Sequence, residues 1–514
     1  MMNKKIYICA ALLMVSAAAT AQQPLAGEGE YRLDEARLLW HHTTNAAGLS
    51  LDSARNHGFA AFDLQHTGGN FYRVQEGGKR NLLTFHTERY QQLGQYLYGY
   101  GKFSFDMGRT KNRAWSDVTR SYNSNPYFSG SSIAGRYDHQ NIELTAAVGT
   151  RDFNGWRFGL RADYKVGDLS RLKDPRSRSQ LLDYTLTPGV TYTFGSHTVG
   201  LDAYYNRFKE KIGNVTTVQA DATLKYYLMS GMENANGSTG GFGGFNREWV
   251  NHRFGATLSY GYHNATLNSL NSVSIARGSE GVYGTYKYQP GHYYSYQYAV
   301  NSHNLLNSGR LLHQLNVAFK YEQAYADEYR QQLDITTDSA TGFKSYHYLT
   351  TMTFKKRYQV NLFNLDLHYR LNFTDAQAIT GYVGFRGNLQ TTRNKYLLHS
   401  SSFKYESADF ALEGGKGLLG NRLWIDASAG RHNKWKNSLS LANPTTEYAQ
   451  NVLLADQRYY NANYWLGHLQ VMYQVPLTLK GYRSLWYVKA YGDYLHGNNH
   501  LNGSLVGISI GLFN

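Results

Sequence analysis

From Trp156 to Val166 the chain alternates between two chemistries at every residue. Trp156, Phe158, Leu160, Ala162, Tyr164 and Val166 interleave with Arg157, Gly159, Arg161, Asp163 and Lys165. An extended strand sends successive side chains to opposite faces, so this segment has one apolar face and one charged face. The pattern recurs along the chain. Ile142, Leu144, Ala146 and Val148 oppose Glu143 and Thr145, and Phe363, Leu365, Leu367, Tyr369 and Leu371 oppose Asn364, Asp366, His368 and Arg370. Ile379, Val383, Phe385 and Leu389 oppose Thr380, Tyr382, Arg386 and Asn388, and Val506, Ile508, Ile510 and Leu512 mark one face of the last segment. These runs extend about 10–14 residues, whereas soluble strands cluster near 5–6 and a tilted bilayer crossing takes about 9–11.

The connections point the same way. Gly195-Ser196, Thr374-Asp375-Ala376 and Leu306-Asn307-Ser308-Gly309 read as tight turns, and the polar stretches 109–140, 167–180, 265–291, 323–357 and 432–461 read as long loops. Short turns on one side and long loops on the other are the outer-membrane pattern. The expected fold is therefore all-β, a closed antiparallel transmembrane β-barrel. Candidate strands begin near 57, 69, 81, 95, 141, 155, 181, 197, 215, 251, 292, 310, 358, 377, 401, 421, 462, 483 and 501. An even number is the rule, so about 18 strands are expected, within 16–20, with 57–66 the surplus segment, either in the barrel or part of a lumenal or periplasmic lead-in. The same count places the Gly-rich stretch from Gly237 to Asn246 on the periplasmic side.

The beginning of the chain suggests export. Lys4 and Lys5 precede an uncharged apolar run, Ile6 to Ala18, and Ala19-Thr20-Ala21 suits a signal peptidase. The expected division is a signal peptide over 1–21, a lead-in or plug-like segment over 22–56 and a barrel over 57–514. The expected location is the outer membrane of a Gram-negative cell. Cys9 lies inside the apolar run rather than at the cleavage point, which argues against a lipid anchor, and cleavage leaves no cysteine for disulfides or metal ligation. Cleavage also takes the formal charge from +15 to +13. That excess suits outer-membrane lipid and lipopolysaccharide phosphates as partners, and export argues against nucleic acid. The 45 Tyr and 8 Trp suit a membrane–water boundary, where one end of the ring is dry and the other wet.

The lead-in Leu38-Leu39-Trp40-His41-His42-Thr43-Thr44-Asn45-Ala46-Ala47-Gly48-Leu49, the loop Gly167-Asp168-Leu169-Ser170-Arg171 with Asp174-Pro175-Arg176, and the strand arrangement resemble a family of large outer-membrane barrels of unknown function, of the Bacteroidetes type. The resemblance implies an uptake component that works beside an energised outer-membrane receptor or surface lipoprotein, and it brings no catalytic residues. Asn45-Ala46-Ala47-Gly48-Leu49 also resembles the Asn-Pro-Ala-Gly-Leu lead-in of long-chain fatty-acid-type transporters, with Ala46 in place of Pro. The same residues read equally as a helix end, since Leu33 to Trp40 has helical spacing and Gly48 can stop it. The end of the chain resembles the C-terminal insertion signal of such barrels, with Phe513 penultimate and Asn514 a departure from it.

No catalytic, cofactor or metal set is expected. Ser302-His303-Asn304 with Asn307-Ser308-Gly309 resembles the His-x-Ser-Asn-Gly region of outer-membrane phospholipases, but Ser308 stands five residues from His303 rather than two. No convincing paired-Asp and Asp-His set for an omptin-like protease is present. His41 and His42 are adjacent and therefore face apart. Arg171, Lys173, Arg176 and Arg178 suit an anion or lipid phosphate, or else a turn that Arg176 closes onto Asp174. Alternation assigns Arg157, Arg161, Asp163, Lys165, Asp366, Arg370 and Arg386 to the lumen. A short helix near 31–40, docked inside the barrel or at its periplasmic mouth, makes Leu39 and Trp40 the anchors of the lead-in. The expected function is a channel or accessory component of nutrient uptake, not an enzyme. A surface-binding barrel with a blocked lumen is the alternative, and an outer-membrane hydrolase ranks third.

Overall fold

Backbone in hydrocarbon has no water to bond, so a strand survives there only when both its edges are paired. The computed structural model describes residues 27–52, 56–120, 124–218, 223–239, 245–375, 377–398, 400–479 and 482–513; the expected leader lies outside them. The first strands are β1 (His57–Gly69), β2 (Lys79–Leu93), β3 (Leu97–Arg113), β4 (Tyr127–Ser131), β5 (Gly135–Thr150), β6 (Trp156–Arg171), β7 (Arg176–Phe194), β8 (His197–Thr216), β9 (Lys225–Gly231) and β10 (Asn234–Thr239). They are followed by β11 (Asn246–His263), β12 (Leu267–Tyr283), β13 (Gly291–Ser308), β14 (Leu311–Thr337), β15 (Lys344–Thr374), β16 (Ile379–Tyr396), β17 (Ser401–Leu418), β18 (Leu423–Ser440), β19 (Tyr464–Leu479), β20 (Tyr482–Gly497) and β21 (Asn502–Phe513). All except β4, β9 and β10 form one 18-stranded antiparallel sheet in chain order. The sheet closes where β1 pairs with β21, from Phe59 opposite Phe513 to Gly69 opposite Gly503.

The alternation read from the sequence sets the faces. Phe158, Leu160, Val383 and Ile508 are exposed on the outside, as are Phe62, Phe254, Leu412 and Leu469. Tyr96, Trp156, Tyr192, Phe194 and Tyr260 ring the end with short turns, and Tyr298, Trp465 and Tyr494 lie toward the other. An outward apolar band between aromatic girdles is what a bilayer selects. This is an outer-membrane barrel, with the short turns periplasmic and the long connections outside. Gly195-Ser196 joins β7 to β8 and Gly309-Arg310 joins β13 to β14; both glycines have positive φ, as two-residue hairpins require. Among the described residues no helix is long and apolar enough to cross a membrane.

Several elements differ from the sequence reading. Residues 57–69 are the seam strand of the wall rather than a lead-in. Residues 70–78 form a connection, not a strand. Leu267–Tyr283, expected as loop, is a full wall strand paired on both sides. The strand sought near 215 is the end of β8, and β9 leaves the wall altogether. Of the stretch 237–246, residues 237–239 and 245–246 fall at the outer end, not on the periplasmic side, and 240–244 lie outside the described residues. The expected loop 323–357 is largely strand, because β14 and β15 continue as a hairpin arm far beyond the 9–11 or so residues that a crossing needs. The substitution Leu160→Arg or Leu412→Arg should destabilise the folded barrel by roughly 2–4 kcal/mol, as expected near mid-bilayer. Urea titration of the refolded protein in vesicles checks this; unchanged midpoints would mean that these faces do not meet lipid.

Candidate functional site: two closures of the lumen

A ring of this size leaves an interior too wide for wall side chains alone to fill. Segments of the same chain fill it from both ends. At the periplasmic end lies the run 27–52. Its helix α1 (Glu28–Arg37) starts where Glu28 N donates to Gln474 Oε1 at 2.9 Å and ends at Leu38. Leu33 and Ala36 face Leu305, Leu312, Ile379, Trp424 and Met472 on the wall. Arg32 makes the decisive polar contact. Its two Nη atoms meet the Asp426 carboxylate at 2.8 and 2.9 Å, its Nε meets Glu28 at 2.7 Å, and its guanidinium lies over the Trp424 ring. Tyr31 donates to Glu88 and packs on Phe513, whose ring therefore points inward.

Beyond α1 the run crosses the mouth in two short 3-10 turns, Trp40–His42 and Ala46–Ser50. Leu39 and Trp40 are buried with Leu270 of β12. Asp52 accepts from the Trp40 and His41 amides at 3.1 and 2.8 Å. The Asn45 side chain donates to Val190 O and Leu201 O of the wall and accepts from Ala47 N. This run fits because the wall is thinned to glycine beneath it. A Cβ at Gly159 would stand 2.1 Å from Ala47 N, one at Gly149 2.2 Å from Ala46 O and one at Gly189 2.2 Å from Asn45 Oδ1. Gly200 and Gly261 make room in the same way for the Trp40 ring. Five inward glycines on β5, β6, β7, β8 and β11 thus form a track for residues 40–49.

The outer end is closed by β4, β9 and β10, a three-stranded sheet inside the ring. Tyr127, Phe128, Tyr226 and Met229 pack with Trp115 against Trp249, Val282, Tyr293 and Tyr358 of the wall. Trp249 Nε1 donates to Tyr127 O at 2.6 Å. Arg120 is clamped on Glu280 through two 2.6 Å contacts, and Glu210, also buried, accepts from Thr119 N and Ser179 Oγ. The connection 441–463 folds over the top with Tyr448 and Val452 in the same core. A cavity of about 610 Å³ remains there, lined by Phe71, Tyr72, Arg73, Phe128, Tyr459 and Tyr460 among others.

The charges assigned to the lumen are all on inward positions, with Arg157 at the periplasmic rim beside the Asp152 turn. Arg157 meets Asp152 at 2.8 Å, Arg161 meets Asp163 at 2.9 Å and Lys165 meets Glu143 at 2.6 Å. Arg161 also donates to Thr43 O of the N-terminal run. Arg370 and Arg386 converge with His368 on Glu413, at 2.8, 2.9 and 2.7 Å. Asp366 accepts from Asn388 at 2.6 Å. Sequence reasoning missed Glu413 and Arg32, since Glu413 finds its partners on the two preceding strands and Arg32 finds Asp426 on the wall, 27 or more residues away in the chain. In the 171–178 connection, Arg171 is buried and holds Pro175 O and Ile133 O, while Arg176 meets Asp174 at 2.9 Å. His303 bonds Asn316, and Ser302 bonds Asn271 on the opposite face, so these two make no nucleophile–base pair. Among the described residues no group of three metal-ligating side chains occurs.

A family model of unknown function, DUF6850, matches residues 46–514. The chain belongs to the DUF6850 family. No curated protein matches it in sequence. Among solved structures it is similar to OccK2 (OpdF) of Pseudomonas aeruginosa in complex with glucuronate, at 9% identity and TM-score 0.37, covering 89% of this chain and 97% of that one. The FrpB iron transporter of Neisseria meningitidis matches at 10% identity and TM-score 0.38, covering 92% and 83%. The outer membrane protein opdK of Pseudomonas aeruginosa matches at 8% identity and TM-score 0.37, covering 90% and 99%.

Two predictions follow from the periplasmic closure. Gly159→Val should expel residues 45–50 from the track and open the run 27–52 to protease, whereas Gly467→Val, where a Cβ meets nothing within 4 Å, should not. Equal protection in both variants would show that the track does not hold the run. The second concerns pH. Burial pushes the Asp52 carboxyl up to about 7 and the His41 imidazole down to about 4. A raised carboxyl favours docking in acid and loses that preference as pH rises towards 7. A lowered imidazole favours docking at neutral pH and loses that preference as pH falls from about 6.5 to 4. The two oppose each other, so Asp52→Asn leaves the imidazole unbalanced. Protection of the run in that variant should fall between about pH 7 and pH 5; an unchanged level across that range would count against it.

Proposed function

We propose that this protein is an outer-membrane uptake barrel that admits a small solute at its outer chamber and releases it when the run 27–52 leaves the periplasmic mouth. The observation that carries the reading is the state of the interior between the closures. Arg386, 58% exposed at its side chain, together with Asp366 and Lys320, lines unfilled space in the middle of the ring. A barrel serving only as a platform gains nothing from such a waist, because water-filled volume adds neither packing nor apolar burial. The lower closure also differs in kind from the upper one. It is a single run that precedes the first wall strand, fastened by Arg32, Asn45 and Trp40, whereas the outer sheet is built from two connections between wall strands.

The second reading, a surface-binding barrel with a blocked lumen, has the buried core around β4 and β9 in its favour. Conductance in a planar bilayer separates the two. The full chain should pass little current. Arg32→Ala strands the Asp426 carboxylate and should weaken docking by about 3 kcal/mol, and deletion of 27–52 should remove the closure. Both variants should show discrete opening steps. A deletion variant as silent as the full chain would place the seal in the outer sheet and support the second reading.

A further inference from the structure

The outward face is not uniform above the apolar band. On β13 and β14 its outward positions toward the outer end are tyrosines: Tyr294, Tyr296 and Tyr298 with Tyr321 and Tyr325. On β3, β5, β7 and β8 they are largely basic, with Asp138 on β5 and Asp168 on β6 set among the cations. Arg109 and Lys111 continue the outward row of Phe103, Phe105 and Met107. Arg136 continues that of Leu144 and Ile142, Arg178 that of Leu186 and Leu182, and Arg207, Lys209 and Lys211 that of Tyr205. Three of these cations have a carboxylate: Arg109 meets Asp138 at 2.8 Å, Lys209 meets Glu248 at 3.3 Å and Arg178 is paired with Asp168. Lys111, Arg136, Arg207 and Lys211 make no ion pair with a described carboxylate. Lys111 and Arg136 both fall in the bulge between the Thr110–Tyr137 and Arg113–Gly135 pairs. Arg178 pairs with Gly213 and Gln180 with Lys211, which puts Arg178 and Lys211 on a diagonal.

Like charges facing each other on neighbouring strands destabilise a sheet unless an anion lies between them. Guanidinium groups suit phosphate, which accepts two parallel N–H bonds from one fork. Directly below this sector the same strands present exposed apolar side chains, Met107, Leu144 and Leu186. The matching ligand therefore carries phosphate at one end and hydrocarbon at the other, and it lies against the barrel from outside. We propose that the sector from β3 to β8 is a binding site for the phosphorylated headgroup of an outer-leaflet glycolipid, whose acyl chains lie on the apolar band beneath. From β3 to β8 the sector is four strand spacings wide, about 19 Å, which accommodates a disaccharide with a phosphate at each end. The site does not depend on whether the lumen opens.

Binding to the full-length protein in non-ionic detergent tests this, read by native mass spectrometry with three probes: lipid A with two phosphates, lipid A stripped of both, and inorganic phosphate. The two-phosphate lipid should bind, and loss of its phosphates should weaken binding by about tenfold or more. Arg136→Gln, Arg178→Gln and Lys211→Gln combined should weaken it similarly, while Tyr294→Phe with Tyr296→Phe should not. Heat-modifiable migration of every variant verifies that the barrel is folded. The proposal is overturned if the triple variant binds as tightly as the native protein, or if the stripped lipid binds equally well. Displacement of the lipid by equimolar inorganic phosphate would equally overturn it, since the site would then be one for small anions.

Discussion

The pairing of β1 with β21 is the contact on which everything else depends. Without it the sheet has two long edges in hydrocarbon, each a row of unsatisfied N–H and C=O groups. With it every wall strand has two partners, and the remaining questions concern only what faces lipid and what faces the interior. The outer face is then settled by alternation, and the inner face becomes a volume to be filled or kept wet.

This chain does both. At the periplasmic end it fills the space with a short run whose own residues are small where the wall backbone is close, Ala46 and Ala47, and large where wall glycines leave room, Trp40. The complementarity is mutual: glycine on five strands meets the backbone of Ala46 and Ala47 and the side chains of Asn45 and Trp40, and Asp426 meets Arg32. At the outer end the filling is a miniature sheet with an aromatic core. Between them charges are matched rather than removed. Glu413 gathers three cationic or ionisable partners, and Asp163 and Glu143 hold Arg161 and Lys165. Neutralised side chains can stay in a low-dielectric interior without the heavy desolvation penalty of a lone charge.

The wall was legible in the sequence because its signal is local. Trp156 to Val166 states its two faces in eleven consecutive residues, and the structure keeps that register. Leu267–Tyr283 was missed because Ser, Asn and Gly, the residues of loops, are scattered along it; only Val273 and Ile275 mark its lipid face strongly. Conversely, β9 looks like a wall strand because Tyr226, Tyr227 and Met229 are apolar, yet it is buried on both faces inside the ring. Periodicity reports that a face is buried or greasy, not whether lipid or a neighbouring strand covers it. The meaning of Asn45 to Leu49 was out of reach for another reason. Its glycine counterparts are 100 to 200 residues away, and nothing in a single sequence ties Gly159 to Ala47.

The seam has a consequence for biogenesis. β1 follows directly on the run 27–52, and its second partner, β21, is the last strand to be synthesised. β1 must therefore keep one bare edge until the final hairpin of the ring arrives. Contacts of such sequence separation form late, after the local hairpins. The glycine track lies on the neighbouring strands β5 to β8 and β11, whereas the partners of α1, Asp426 on β18 and Gln474 on β19, come opposite it only as the ring closes. Pairing of the seam is therefore also what brings the two halves of the run's seat together.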